Sequence, residues 1–248
     1  MDKILQTAQG ASYGLAFLLT FWPFARKVSK IVALIGVALG LAYILGRYHR
    51  SWPMTPMYLG SVAVPPFLAL FGLISFRPED DPAKVKGLSL TFLLALITAL
   101  LSIIFPKDFY LPFLKTASIF SQAHLVFNFL GKAAFLMAGI WAIVTLGQKR
   151  EEAQIRLWLA IGFVFWTLSM LTGEVWSYLG WGLPVVWDEA VIVCFMATWF
   201  FYSAILHLFL IGRWPKARRG LTILGIFWIY LVSVTPDLGP ARFPPALW

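Results

Sequence analysis

A tryptophan-rich segment, residues 173–189, is the part of the chain whose composition most clearly points to a ligand. It reads GEVWSYLGWGLPVVWDE, with Trp176, Trp181 and Trp187 followed directly by Asp188. Three indoles so close together offer flat apolar faces, which suit either a planar apolar ligand or a membrane–water interface. An interfacial aromatic belt alone does not explain the two acidic residues after the third tryptophan.

A polar stripe precedes this segment along the chain. His124, Asn128 and Lys132 are spaced by four, which places them on one face of an α-helix. In a membrane, such a stripe should face protein and not lipid. In the functional interpretation, His124 is a metal ligand or an acid/base group, and Lys132, about 12 Å deeper, offers a cation to a carboxylate. The alternative is that the stripe packs the bundle through hydrogen bonds.

His207 is the other imidazole within an apolar run. It lies about 28 Å beyond Asp188 along a helix, which places it near the opposite leaflet. An interfacial or helix-bonded histidine is the structural alternative to a functional role. Haem is the ligand that best unites these features, because its broad face suits tryptophan, its iron accepts a neutral imidazole and its propionates need cations or donors.

The composition excludes a soluble domain. Hydrophobic residues make up 60% of the 248 positions, charged residues make up 12%, and the mean hydropathy is +0.80. A globular surface cannot be built from so few polar groups, so the chain is predicted to be membrane-embedded. The net charge of +9 is concentrated in short clusters between apolar runs, which indicates membrane topology and not nucleic-acid binding. The single Cys194 excludes a disulfide framework within the chain.

The apolar runs predict an all-α, polytopic transmembrane helix bundle forming one integral membrane domain over residues 1–248. About eight spans are expected, at residues 11–24, 31–46, 57–76, 88–105, 116–146, 157–171, 191–211 and 221–234. Residues 47–56 and the tryptophan-rich segment are predicted to be loops, and Pro65-Pro66 should bend the third span.

The basic clusters predict the orientation of these spans. Most of the 20 lysines and arginines fall in alternate loops, among them Arg26, Lys27, Lys30, Lys84, Lys86, Lys149, Arg150, Arg213, Lys216, Arg218 and Arg219. The positive-inside rule makes those loops cytoplasmic. We therefore expect the N-terminus and the tryptophan-rich segment to be periplasmic, in a bacterial inner membrane. The first cluster follows its apolar run, which favours an uncleaved first span over a signal peptide.

The tryptophan-rich segment carries a resemblance to a known family. Its residues resemble the WWD motif of the CcsA/ResC branch of cytochrome c biogenesis proteins, which is related to CcmC and CcmF, through Gly173, Val175, Trp176, Trp181, Gly182, Trp187 and Asp188, followed by Leu206 and His207. The stretch from Arg47-Tyr48 to Tyr58 and the run up to His124 are similar to the same branch. The resemblance extends over about residues 40–240.

The resemblance implies a function in cytochrome complex assembly. The segment would present non-covalently bound haem b at the outer membrane face, for attachment to apocytochrome c. His124 would be the outer axial ligand of iron and His207 the histidine of a deeper haem site. Trp176, Trp181 and Trp187 would hold the macrocycle, Asp188 would order the loop, and Lys132 would contact a propionate or a buried acid. A cytochrome c haem lyase would also require a CcsB/ResB-like membrane partner.

Several positions depart from the family pattern. Val185 replaces the middle tryptophan, Val191 replaces an expected acid, and no histidine follows His207. A second outer ligand would have to come from His49, Met54, Met57, water or a partner. These departures favour an alternative, a diverged haem-binding or structural subunit of a membrane respiratory complex. A transporter is the third hypothesis, disfavoured because Pro65-Pro66 has no counterpart in the second half of the chain.

Overall fold

The computed structural model describes residues 2–52, 54–57, 59–76, 81–104, 109–111, 117–146, 152–185 and 190–231. Within these ranges the chain forms eight α-helices: α1 (Asp2–Leu19), α2 (Arg26–Ser51), α3 (Gly60–Ser75), α4 (Pro82–Ile104), α5 (Ile119–Val144), α6 (Glu152–Trp181), α7 (Ala190–Ile211) and α8 (Pro215–Ile229). A single 3-10 turn, Pro23–Ala25, links α1 to α2. The predicted all-α bundle is confirmed.

The predicted count of about eight spans is not confirmed. Among the described residues, five helices are long and apolar enough to cross a membrane: Pro23–Ser51, Pro82–Ile104, Ile119–Val144, Glu152–Trp181 and Ile192–Ile211. α3 is apolar but has only 16 residues, and it stays helical through Pro65 and Pro66. α8 has 15 residues and begins with the basic sequence PKARR. These two helices are shorter than the roughly 20 residues that a perpendicular crossing requires.

The predicted loop at residues 47–56 is wrong for its first half. α2 continues through Ser51, and the chain leaves the helix at Trp52. Nothing between Arg47 and Ser51 disfavours a helix, whereas Pro53 disfavours the helical conformation of the residue before it. Beyond this point, β1 (Thr55–Met57) pairs antiparallel with β2 (Phe109–Leu111), with Thr55 opposite Leu111.

α5 forms the centre of the bundle. Its side chains from Gly131 to Ala142 are all buried, and it packs against α3, α4, α6 and α8. Phe135 stacks on Tyr202 of α7, with ring centroids 3.5 Å apart. A Cβ atom at Gly162 of α6 would lie 2.6 Å from the Phe135 ring, so the two helices can approach closely because this residue is glycine.

The two ends of the bundle differ in composition. The basic end contains the start of α2 and α4, and here Arg218 of α8 donates to the Glu152 carboxylate while Arg219 donates to the Thr145 carbonyl, 2.8 Å away. The tryptophan end contains the β1–β2 pair, the start of α5 and the end of α6. The start of α5 is fixed by Ser118 and Ser121, which accept from each other's backbone N–H groups.

Candidate functional site

The first half of the tryptophan-rich segment is helical, which corrects the prediction of a loop over residues 173–189. α6 continues through Trp181 and ends where Gly182 adopts φ 79°, with Pro184 shortly after. A glycine in this left-handed conformation followed by proline is a common helix C-terminus. Trp187, Asp188 and Glu189 lie outside the described residues.

His124 is held by the neighbouring helix. Its Nδ1 atom lies 2.8 Å from the backbone carbonyl oxygen of Ser169 in α6. The Ser169 hydroxyl donates to the His124 carbonyl at 2.8 Å and lies 3.2 Å from the same Nδ1. Because a carbonyl oxygen can only accept, Nδ1 carries the proton in this contact. The lone pair of the neutral ring is therefore on Nε2, the arrangement found in many metal-ligating histidines.

Two aromatic rings lie close to the His124 imidazole. The ring centroid of Trp176 is 5.5 Å away and that of Phe195, on α7, is 5.6 Å away. Trp181 meets Trp176 edge to face at 5.6 Å, and Trp166 stacks on Phe195 at 4.0 Å. The structure thus brings His124, Trp176 and Trp181 together, three of the residues that the sequence singled out.

Gly173 makes the close approach of α6 to His124 possible. A Cβ atom at this position would lie 2.7 Å from His124 Nδ1, a distance that real Cβ contacts do not show. Gly173 belongs to the motif recognised in the sequence, whereas no sequence pattern pointed to Ser169. Both residues position the imidazole, and Ser169 could have been found by its place one helical turn before Gly173.

The rest of the polar stripe faces protein, as predicted. Asn128 is 5% exposed and Lys132 is 3% exposed, and both lie on the inward face of α5. Arg47 of α2 is a further buried cation, 2% exposed, with its guanidinium 3.4 Å from the Tyr43 hydroxyl. The sequence predicts a loop at Arg47 and does not indicate this burial, because helix α2 extends further than its apolar run.

His207 is not brought together with His124. It is exposed on α7, and its Nδ1 lies 2.7 Å from the Ser203 carbonyl, one turn earlier in the same helix. Phe195, which contacts His124, precedes His207 by about 18 Å along the helix at 1.5 Å per residue. This geometry is the helix-bonded arrangement that the sequence analysis gave as the structural alternative. It leaves the Nε2 side of the ring directed away from its own backbone.

The candidate second ligands lie at the end of α2 and around β1. His49 is exposed in the last turn of α2, Met54 is half-buried just after that helix, and Met57 ends β1. Within the described ranges, no group of three or more His, Cys, Asp and Glu residues could hold a metal ion. Among the described residues, His124 offers an imidazole beside aromatic rings, which would suit a metal held in a planar macrocycle.

These features define a polytopic helical membrane protein with an imidazole fixed beside aromatic rings at one end of the helix bundle. Residues 15–235 match the family profile of the cytochrome C assembly protein, and the chain belongs to this family. The family membership supports a role in cytochrome c maturation.

Curated relatives share shorter regions with the chain. The cytochrome c biogenesis protein CcsA of Lactuca sativa is 33% identical over 122 residues, which cover 46% of this chain and 37% of that protein. CcsA of Prochlorococcus marinus strain MIT 9312 is 35% identical over 74 residues, covering 30% and 24%. CcsA of strain MED4 is 32% identical over 74 residues, covering 30% and 23%. The matched regions thus span less than half of each relative.

Proposed function

We propose that the chain binds haem through His124 at the tryptophan end and presents it for attachment to apocytochrome c. The observation that carries this proposal is the contact of His124 with α6, in which the Ser169 carbonyl accepts the Nδ1 proton, so that the lone pair of the neutral ring is on Nε2. When bound, haem supplies a Lewis-acidic iron and the vinyl groups that react with cysteine thiols. The function of the chain is positioning.

The described residues have distinct tasks in this function. His124 ligates the iron, while Gly173 and Ser169 hold its ring in one orientation. Trp176 forms an inner wall, because it is 8% exposed, and Trp181, at 51%, offers an outer apolar surface. Lys132 lies deeper on the same face of α5 and supplies a cation toward a propionate or a buried acid. Trp187 and Asp188 complete the segment in this proposal.

His207 serves a deeper haem site that this chain does not complete alone. An ionisable side chain on the outer face of a membrane helix is costly against lipid, and it is stabilised when another protein surface covers it. We assign that surface to a CcsB/ResB-like membrane partner. The chain is then one subunit of a cytochrome c haem lyase, in a bacterial inner membrane, with the tryptophan end in the periplasm.

One observation favours a second function. No histidine follows His207 in the sequence, so a second outer imidazole is missing from the last third of the chain. A haem-binding or structural subunit of a membrane respiratory or electron-transfer complex does not need to present haem to a substrate. In such a subunit, haem would stay bound and its spectrum would not change when apocytochrome c is added.

The test is the absorption spectrum of the full chain, purified in detergent and reconstituted with haem, in oxidised and reduced forms. His124→Ala should lower haem per chain at least about tenfold or shift the Soret band, whereas Lys216→Ala, at an exposed position of the basic end, should not. Transfer of haem to a CxxCH-containing apocytochrome in the presence of the partner supports presentation over retention. Equal haem content in the wild type and the His124→Ala variant would refute the assignment.

A further inference from the structure

A groove at the basic end lies between the end of α1, the start of α2 and the first turns of α4. It has a volume of about 540 Å³, and its lining residues are Phe17, Thr20, Phe21, Arg26, Pro82, Val85, Lys86, Ser89, Leu90 and Leu93. It is far from His124, which lies at the other end of the bundle. A smaller cavity adjoins it, shares Thr20, Arg26 and Val85, and adds Lys30 and Lys84.

The lining is divided between charge and apolar surface. Arg26 and Lys86 come from different helices, and Lys30 and Lys84 stand beside them in the adjoining cavity. Asp81 is the described acidic residue nearest in sequence to Lys84 and Lys86. Its carboxylate accepts from the backbone N–H of Ala83 at 2.9 Å and so caps the start of α4. Among the described residues that line the groove and the adjoining cavity, all the charged side chains are basic, and they lie where α1 and α2 meet α4.

The rest of the lining is apolar, with two hydroxyl groups. Phe17 and Phe21 pack edge to face, with ring centroids 5.2 Å apart, opposite Leu90 and Leu93 of α4. The buried Thr20 hydroxyl donates to the Ser89 hydroxyl, 3.0 Å away, and both residues line the groove. A ligand that fills the groove must combine an anionic, hydrogen-bond-accepting end with a long apolar part.

We propose that this groove binds an anionic phospholipid. The phosphodiester lies beside Arg26 and Lys86, the Thr20 and Ser89 hydroxyls border the glycerol ester region, and an acyl chain follows Phe17, Phe21, Leu90 and Leu93. Basic pockets between membrane helices at the positively charged face suit such headgroups. A free phosphate is a less suitable occupant, because it leaves the apolar wall of a 540 Å³ groove uncovered.

The experiment uses the full chain in mixed micelles, with phosphatidylglycerol and phosphatidylcholine of identical acyl chains as probes. Bound lipid is counted by native mass spectrometry, and apparent affinity is obtained from the lipid-dependent rise in Tm. The double variant Arg26→Gln/Lys86→Gln is compared with Lys27→Gln/Lys216→Gln. The control loses the same charge at exposed positions that do not line the groove.

The wild type and the control should bind phosphatidylglycerol equally, and the groove variant about tenfold more weakly. Leu93→Trp should weaken the binding with all cations in place, because it fills the apolar part. The single variant Lys86→Gln, at an exposed position, replaces the double variant if the latter does not give a monodisperse protein. Equal loss in the control, equal binding of phosphatidylcholine, or displacement of the lipid by millimolar inorganic phosphate would overturn the proposal.

Discussion

The two intramembrane histidines differ in what holds them. His124 and His207 both place Nδ1 within hydrogen-bond distance of a backbone carbonyl, at 2.8 Å and 2.7 Å. For His124 the carbonyl belongs to Ser169 on another helix, and for His207 it belongs to Ser203 in the same helix. His124 is therefore fixed by tertiary packing and His207 by α7 alone. Disturbing the α5–α6 contact should change the first histidine and leave the second unaffected.

The largest expected effect comes from Trp176. Because Trp176 is almost fully buried against His124, Trp176→Ala should lower the free energy of unfolding by about 3–5 kcal/mol. Trp181→Ala, at a half-exposed position, should lower it by less than about 1 kcal/mol while still weakening haem retention. Both are measured by denaturant titration in mixed micelles, with haem quantified per chain. Similar unfolding losses in the two variants would contradict the inner and outer walls assigned above.

The next largest effect is expected at Gly173, which lies against the His124 imidazole. Gly173→Ala inserts a methyl group 2.7 Å from His124 Nδ1 and should cost about 1–3 kcal/mol through overpacking. It should also shift the Soret band of the reconstituted protein, because the ring must turn. Gly220→Ala is the matched control, since no atom lies within 4 Å of its added methyl group. An unshifted spectrum in the Gly173→Ala variant would mean that haem binding does not depend on the contact between Gly173 and His124.

A smaller effect is expected at Ser169. Ser169→Ala removes the hydroxyl that donates to the His124 carbonyl but keeps the backbone carbonyl that accepts from Nδ1. The expected loss is about 1 kcal/mol in the free energy of unfolding, with the haem spectrum little changed. Ser203→Ala, the equivalent change beside His207, should stay within about 0.5 kcal/mol. A complete loss of haem in Ser169→Ala would mean that the hydroxyl and not the carbonyl orients the ring.

The smallest effect on the isolated chain is expected at His207. His207→Phe should change the free energy of unfolding by no more than about 0.5 kcal/mol, because the side chain is exposed. Co-purification with a co-expressed CcsB/ResB-like partner should nevertheless fall. Leu210→Ala, on the same exposed region of α7, is the control and should retain the partner. Equal retention of the partner by both variants would mean that His207 is not part of the proposed interface.

The sequence predicted those features that depend on local geometry. A spacing of four places His124, Asn128 and Lys132 on one helical face wherever the helix lies, and the burial of Asn128 and Lys132 follows from their polarity in a membrane. The fold class follows from composition in the same way. The haem-related roles of these residues, and of Trp187 and Asp188, stay predictions.

Features that depend on packing between helices could not be predicted. Hydropathy falls around Glu174, so residues 173–181 were expected to form a loop, whereas the helix ends only at Gly182. The contact between Ser169 and His124 depends on the register of α5 against α6, which no short sequence pattern encodes. α7 is apolar on all sides, so its pattern does not indicate which face carries His207 outward.

The close contact between α5 and α6 also limits which sequences can preserve this fold. At Gly162 and Gly173, any side chain would collide with an aromatic or imidazole ring of α5. Substitutions there must be accompanied by changes in Phe135 or His124, whereas exposed apolar residues in the middle of α2, such as Leu34 and Ile35, can exchange among apolar types freely. Over evolutionary time, the residues at the contact between α5 and α6 should therefore change slowly and by paired substitutions, while the lipid-facing residues diverge.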